Sequence, residues 1–260
     1  MINSAEPQSA SEIDRTEIGP FAIACLTSED FIARVRAAVR RRSQLDIAIC
    51  NAHTILTALD DPGYADTLQQ MTLLNDGVGI GLASRFLGGR SFPENLNGTD
   101  LVPRLLRDID VPLRLYLLGA GEPQVLGAKA HLEAVYPQHQ VVGYRNGYFE
   151  DKDVAGIRAD ISGSGADLLL VAMGNPRQEI FITRNRSELK VPVAIGVGAL
   201  FDFMSGSVVR APKLVRAVGL EWLFRLLQEP RRLFRRYIIG IPRFLALLVK
   251  LKFRRIAGRS

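Results

Sequence analysis

Asn75-Asp76-Gly77 sets a carboxylate behind a short apolar run and ahead of three spaced glycines, Gly77, Gly79 and Gly81. A carboxylate at the end of a buried strand can serve as general base toward an incoming hydroxyl. The commoner use of Asp at such a junction is to cap the following helix, and the residues leave both readings open. Gly174-Asn175-Pro176-Arg177-Gln178-Glu179 is a second polar corner. There the Gln178 amide could reach a sugar hydroxyl, or the segment is a helix start with Glu179 answering the dipole. Gly143 to Phe149 packs Tyr144, Arg145, Asn146 and Tyr148 among glycines. That set can stack on and hydrogen-bond a base, or be a turn whose aromatics are core. Leu118-Gly119-Ala120-Gly121-Glu122 could seat a phosphate on backbone N–H groups, but Gln124 stands where a full G-x-G-x-x-G needs glycine. Asp202, near Gly198, is a further carboxylate that could face the same crevice. Asp108-Ile109-Asp110 and Asp151-Lys152-Asp153 have the spacing that can hold a divalent ion on a diphosphate. Both lie between or at the edge of predicted helices and read as solvated charges.

These residues need a scaffold that brings strand ends together. Short apolar runs at Asp46–Cys50, Met71–Leu74, Arg114–Leu118, Gln140–Tyr144, Asp167–Ala172 and Val193–Val197 alternate with amphipathic stretches. The latter include Gly79–Leu87, Pro123–Val135, Asp151–Ile161 and Arg177–Leu189. This alternation predicts an α/β fold: a Rossmann-like parallel sheet flanked by helices, with ligands beyond the strand C-termini. Residues 1–20 read as a flexible leader, without the basic and apolar regions of a signal peptide. Residues 21–205 read as the catalytic domain and 206–260 as a basic C-terminal helical appendage. In the appendage Lys213–Gln228, Arg231–Ile239 and Arg243–Phe253 are predicted helices, punctuated by Pro212, Pro230 and Pro242.

The 260-residue chain carries a net charge of +6, unevenly spread. From Ser205 onward there are 14 Lys+Arg against 2 Asp+Glu, a net of +12, whereas the preceding 204 residues hold 19 against 25. Arg225, Arg232 and Arg235, at offsets of seven and three, fall on one helical face, with Leu226, Leu233 and Tyr237 on another. Arginine suits a diphosphate because its planar fork donates parallel charge-assisted hydrogen bonds. A basic amphipathic tail also suits an anionic membrane, at about 1 kcal/mol per cation near the surface. The longest apolar run there, Phe244–Val249, is too short to span a bilayer. Cys25, Cys50 and three scattered histidines suggest buried thiols in a reducing compartment and no zinc site.

Asn51-Ala52-His53-Thr54, Asn75-Asp76-Gly77, Asn97-Gly98-Thr99-Asp100, Gly147-Tyr148-Phe149, Gly174 to Glu179, Gly198 to Phe203, Arg210-Ala211-Pro212 and Gly219 to Arg232 occur in a consistent order. Together they resemble the WecG/TagA/CpsF glycosyltransferases over roughly residues 20 to 245. The resemblance implies a metal-independent, inverting transfer of a hexose from a UDP-sugar to a polyprenyl-diphosphate-linked sugar, with no cofactor. It favours Asp76 as general base. It places Asn51 and Gln178 near the donor sugar, Tyr148 near the uracil, Thr99 and Asp100 among the substrate-binding residues, and Arg225, Arg232 and Arg235 on the diphosphate. A peripheral enzyme at the cytoplasmic face of the inner membrane follows, in contact with an anionic surface. Homo-oligomerisation stays open.

Many members carry Pro before the Asp-Gly and Arg before the Gly-Thr-Asp, where this chain has Asn75 and Glu94-Asn95-Leu96-Asn97. That departure leans toward β-1,4-glucosyl transfer onto glucosyl-diphospho-undecaprenol in exopolysaccharide synthesis. The alternative is N-acetylmannosamine or N-acetylmannosaminuronic acid transfer. An NAD(P) oxidoreductase lacks its third glycine and acidic partner here. A nucleic-acid-binding module would leave the polar loops of the acidic body without purpose.

Overall fold

The computed structural model describes residues 13–212, 214–215 and 219–257, without the side chain of Arg232. Among these residues eight strands form one sheet, in the order β1-β2-β4-β3-β8-β7-β5-β6. The strands are β1 (Arg15–Ile18), β2 (Phe21–Ala24), β3 (Leu45–Cys50), β4 (Thr72–Asn75), β5 (Arg114–Gly119), β6 (Gln140–Arg145), β7 (Leu168–Ala172) and β8 (Val193–Gly196). Only the β1–β2 pairing is antiparallel; the others are parallel. All six predicted strands are present within a residue or two. The β1–β2 hairpin is an addition, and β1 forms inside the stretch read as leader. Residues 1–12 of that stretch lie outside the described residues.

Each central strand is buried on both faces, which is why its sequence reads as an apolar run. Along β3, Ile47 and Ile49 face one core while Ala48 and Cys50 face the other. The first core is covered by α1 (Ser28–Arg41), α5 (Gly98–Asp108), α6 (Glu122–Val135) and α9 (Leu200–Met204). The second is covered by α2 (Ala52–Asp60), α3 (Pro62–Gln69), α4 (Gly77–Gly88), α7 (Val154–Gly163) and α8 (Arg177–Leu189). Strands β3 and β8 are neighbours, yet α2 and α9 leave them toward opposite faces. This divergence opens a crevice at the strand C-termini, as expected at a topological switch point.

The appendage comprises α10 (Glu221–Gln228), α11 (Pro230–Phe234), a π-helical segment at Arg235–Ile239 and α12 (Gly240–Ala257). Positions 213 and 216–218 of the first predicted tail helix lie outside the described residues. Pro242 does not break the chain as the sequence suggested. Helical residues run without interruption from Pro230 through the π segment into α12, and Pro242 lies just after that segment. Phe244 and Leu248 bury themselves in the second core, and Arg243 pairs with Asp60 of α2. Lys252 donates to the Phe86 carbonyl at 2.8 Å, and Arg255 to the Leu87 carbonyl at 3.1 Å. The tail is therefore packed against α2 and α4, the two helices that begin at the crevice.

Candidate active site

The site starts from two adjacent strands. Cys50 and Asn75 are register partners in β3 and β4, and the Asp76 N–H donates to the Cys50 carbonyl at 2.8 Å. Asn51 and Asp76 therefore leave the sheet side by side. Asn51 caps α2: its Oδ1 accepts from the N–H groups of His53 and Thr54 at 3.1 and 3.2 Å. With the oxygen so engaged, Nδ2 turns outward and donates to Asp76 Oδ2 at 3.2 Å. Asp76 occupies the N-cap position of α4 but makes no side-chain capping bond. Gly77, at φ +81°, provides the bend that lets the helix start without one. The capping use of Asp76, the commoner expectation, is thus not the one realised.

Burial holds the Asp76 carboxyl above its ordinary range. The Asn51 hydrogen bond and the charges of Arg236 and Arg225 pull the other way, while Asp100 adds to the rise. The same Arg236, with burial, depresses His53. Arg225 lies over the Phe203 ring at 5.2 Å, and its nearest acid is Glu229 at 3.9 Å. The Nε atoms of Arg225 and Arg236 are both buried and meet no hydrogen-bond acceptor among the described residues. On the rim Arg210 contacts Asp100 at 2.6 Å and Glu221 at 3.9 Å, joining α5 to α10.

Beneath the crevice is a closed polar network. Glu179 is fully buried and accepts from Asn175 Nδ2 at 2.6 Å, Gln178 Nε2 at 2.7 Å and the Tyr64 hydroxyl at 3.2 Å. Burial raises its pKa, against the pull of these donors. Glu179 thereby fixes the orientation of the Gln178 amide. The Gln178 Oε1 then accepts from Gly174 N–H at 3.2 Å and Gly198 N–H at 3.0 Å, tying the loops after β7 and β8 to one atom. Glu179→Ala would leave three donors without their acceptor, an expected loss of about 3 kcal/mol in urea unfolding. Glu179→Gln can still accept from both amides and is expected to cost less.

A model of the glycosyl transferase WecG/TagA/CpsF family matches residues 16–258. The chain belongs to that glycosyltransferase family. Its relatives include the N-acetylglucosaminyldiphosphoundecaprenol N-acetyl-beta-D-mannosaminyltransferases of Bacillus subtilis (strain 168) and Bacillus spizizenii. Each is 31% identical over 206 residues, covering 78% of this chain and 78% of the relative.

For this WecG/TagA/CpsF member the structure brings together Asn51, Asp76, Asp100 and Arg225 of the expected residues. Thr99 stands beside them, but its hydroxyl is spent on Asn97 Oδ1 at 2.7 Å, within the cap of α5. Gln178 departs from expectation. It is 2% exposed, and its amide shapes the crevice wall from behind instead of reaching into the opening. Tyr148 is 79% exposed on the loop after β6, which folds back over the ends of β5 and β7: the Gly147 N–H donates to the Ala120 carbonyl at 2.8 Å, and Arg177 donates to the Gly147 carbonyl at 3.3 Å.

Arg235 also differs: it is exposed, and Arg236 is the residue that acts on Asp76. The cause is the break between α10 and α11 at Glu229 (φ −130°, ψ 59°), which resets the helical phase between Arg225 and Arg235. A regular 3.6-residue period no longer predicts the face there. The side chain of Arg232 lies outside the described residues. Sequence reasoning missed Arg236 and also Tyr64. Both DxD strings end in surface pairs or turns: Asp108 meets Arg107, Asp110 meets Arg36, and Asp151–Asp153 form a 3-10 turn before α7.

Proposed function

We propose that this glycosyltransferase moves an N-acetylmannosaminyl group from a UDP-sugar to an N-acetylglucosamine carried on polyprenyl diphosphate, with inversion. The observation that carries it is the juxtaposition of the Asn51-oriented Asp76 carboxylate with Arg225 and Arg236, whose buried Nε–H groups meet no acceptor among the described residues. Asp76 takes the proton of the acceptor hydroxyl as its oxygen attacks the anomeric carbon. The bond from that carbon to the diphosphate oxygen breaks on the opposite side. Arg225 and Arg236 face the charge that develops on the departing UDP. No other cofactor enters this scheme. The exposed Tyr148 ring offers a stacking face for the uracil.

The donor sugar rests on likeness to the two mannosaminyltransferases. The first lean, toward glucosyl transfer, rested on Asn75 and the asparagines of 94–97, and these have structural tasks. Asn75 Nδ2 donates to the Glu94 carbonyl at 2.8 Å, Asn95 Oδ1 accepts from Gly77 N–H at 2.8 Å, and Asn97 caps α5. They pin a loop to the start of α4, which gives their presence a structural reason apart from sugar choice. A lipid-linked acceptor, together with the +12 tail, supports peripheral attachment at the cytoplasmic face of the inner membrane. Among the described residues no helix is long and apolar enough to cross a membrane.

The test is incubation with UDP-N-acetylmannosamine, its uronic acid and UDP-glucose, against polyprenyl-diphosphate-linked N-acetylglucosamine and glucose, with product mass as readout. The expected product is the N-acetylglucosamine acceptor heavier by one N-acetylhexosamine. A hexose added only to the glucose acceptor would restore the glucosyl reading.

A further inference from the structure

The helix that begins at Asp76 turns a strip of large apolar side chains to solvent. Val78, Leu82 and Phe86 recur every four residues along α4, opposite the buried Ile80, Ala83 and Leu87. Leu245, Val249 and Phe253 recur in the same way along α12. These six side chains are between 44 and 68% exposed. Phe244 and Leu248 mark the edge of α12 that enters the core, and Lys252 lies to one side of that edge. Its ammonium reaches the Phe86 carbonyl at 2.8 Å and lies 5.7 Å from the Phe86 ring centroid. At about 100° per residue, Leu245, Val249 and Phe253 fall on the Lys252 side of α12, the side toward α4. Lys250, Arg243 and Arg254 fall on the other side, where Arg243 meets Asp60 of α2. The two strips thus adjoin as one surface with a cationic border. At its crevice end the backbone of Gly219 passes so close to Val78 that a Cβ at Gly219 would collide with it. Isolated exposed apolar residues need no explanation, but two adjoining strips of them mark a contact surface.

We propose that this α4–α12 face seats in an anionic lipid bilayer, so that the catalytic body itself, and not the tail alone, docks on the membrane. Charge separates this occupant from a second copy of the chain. Helices α4 and α12 carry Arg85, Arg243, Lys250, Lys252, Arg254 and Arg255 and no acidic residue. Arg243 is matched by Asp60 and Arg255 by Glu17, but two copies meeting through a two-fold axis would still set Arg85, Lys250, Lys252 and Arg254 against one another, whereas anionic headgroups complement them. The inference rests on the glycosyl-transfer reading for its meaning. With α4 seated, the mouth beside Asp76 opens at the lipid surface where a polyprenyl-linked acceptor is anchored.

The experiment is co-sedimentation of the full chain with phosphatidylcholine vesicles, with and without phosphatidylglycerol. Wild type is expected to bind the phosphatidylglycerol vesicles. Leu82→Asp and Phe86→Asp are expected to bind them at least about tenfold more weakly, while Val135→Asp, at an exposed site on α6, binds as wild type. Leu82→Trp keeps the apolar surface and is expected to add a blue-shifted emission over that of Trp222 when vesicles are present. Unchanged binding of both Asp variants with no blue shift overturns the proposal. So does a lipid-free dimer of the wild type that Leu82→Asp converts to monomer, which would assign the face to a second copy. Vesicle binding is independent of catalysis. A failed donor panel alongside lost binding in the Asp variants would sink the transferase reading and leave this one standing.

Discussion

Asp76→Asn is expected to lower kcat by about 10²–10⁴-fold, the range for removal of a general base, without loss of fold. The backbone contact to Cys50 does not involve the side chain, and an Asn carbonyl can still accept from Asn51 Nδ2. The stability effect has a definite sign. Burial raises the folded-state pKa of Asp76 above the ordinary value of 3.8. Ionising it therefore costs stability progressively as pH rises from there through the folded value. Asn carries no charge, so at neutral pH the variant is expected to melt no lower than wild type. Below the ordinary carboxylate range any advantage from its neutrality vanishes. The same titration sets the acid limb of activity: kcat rises as Asp76 loses its proton, with a midpoint above 3.8. A variant that retained wild-type kcat would remove Asp76 from the chemistry. Thermal melts and pH–rate profiles of the two proteins supply both readouts.

Arg236→Ala carries the second large effect. Loss of one preorganised donor to a developing anion is expected to cost about 10²-fold in kcat. Arg236 also pulls the Asp76 pKa down, so its removal moves the acid limb of the pH–rate profile to higher pH. A residue that merely filled space would lower the rate without moving that limb. Arg236→Lys keeps the charge and is expected to keep the limb in place while losing the fork. Arg235→Ala, at an exposed position, is expected to retain more activity than Arg236→Ala. The reverse order would mean that the appendage turns its other arginine inward during catalysis.

Those adjacent arginines mark where the sequence stops being readable. The six parallel strands are legible because burial on both faces demands unbroken apolar runs, and the strand–helix corners follow from the glycines and asparagines that end them. Asn51 and Asp76 emerge together because their strands are neighbours, a relation that order along the chain alone does not reveal. Arg15–Ile18 and Phe21–Ala24 were missed because an edge hairpin of four-residue strands has too little pattern to separate from a leader. Gln178 is a different case. Gln178, Phe181, Ile182, Asn185 and Leu189 form the buried face of α8, and their spacing repeats the helical period. That period placed Gln178 against the sheet, but its polar side chain argued more loudly for the crevice. For Arg236 no such signal existed, because side-chain types do not show how far the break at Glu229 turns the second helix relative to the first.

The amide of Gln178 has a consequence for how the crevice can move. One oxygen holds the loops after β7 and β8 at once, so neither can swing without releasing the other. That wall behaves as an anvil. The opposing jaw is made of Arg225 and Arg236, borne on an appendage fastened by Phe244, Leu248 and side-chain bonds to the ends of α2 and α4. On the proposed mechanism, the opening that admits a donor or releases its diphosphate is expected from that jaw. When it opens, it withdraws both cations from the leaving group in one stroke.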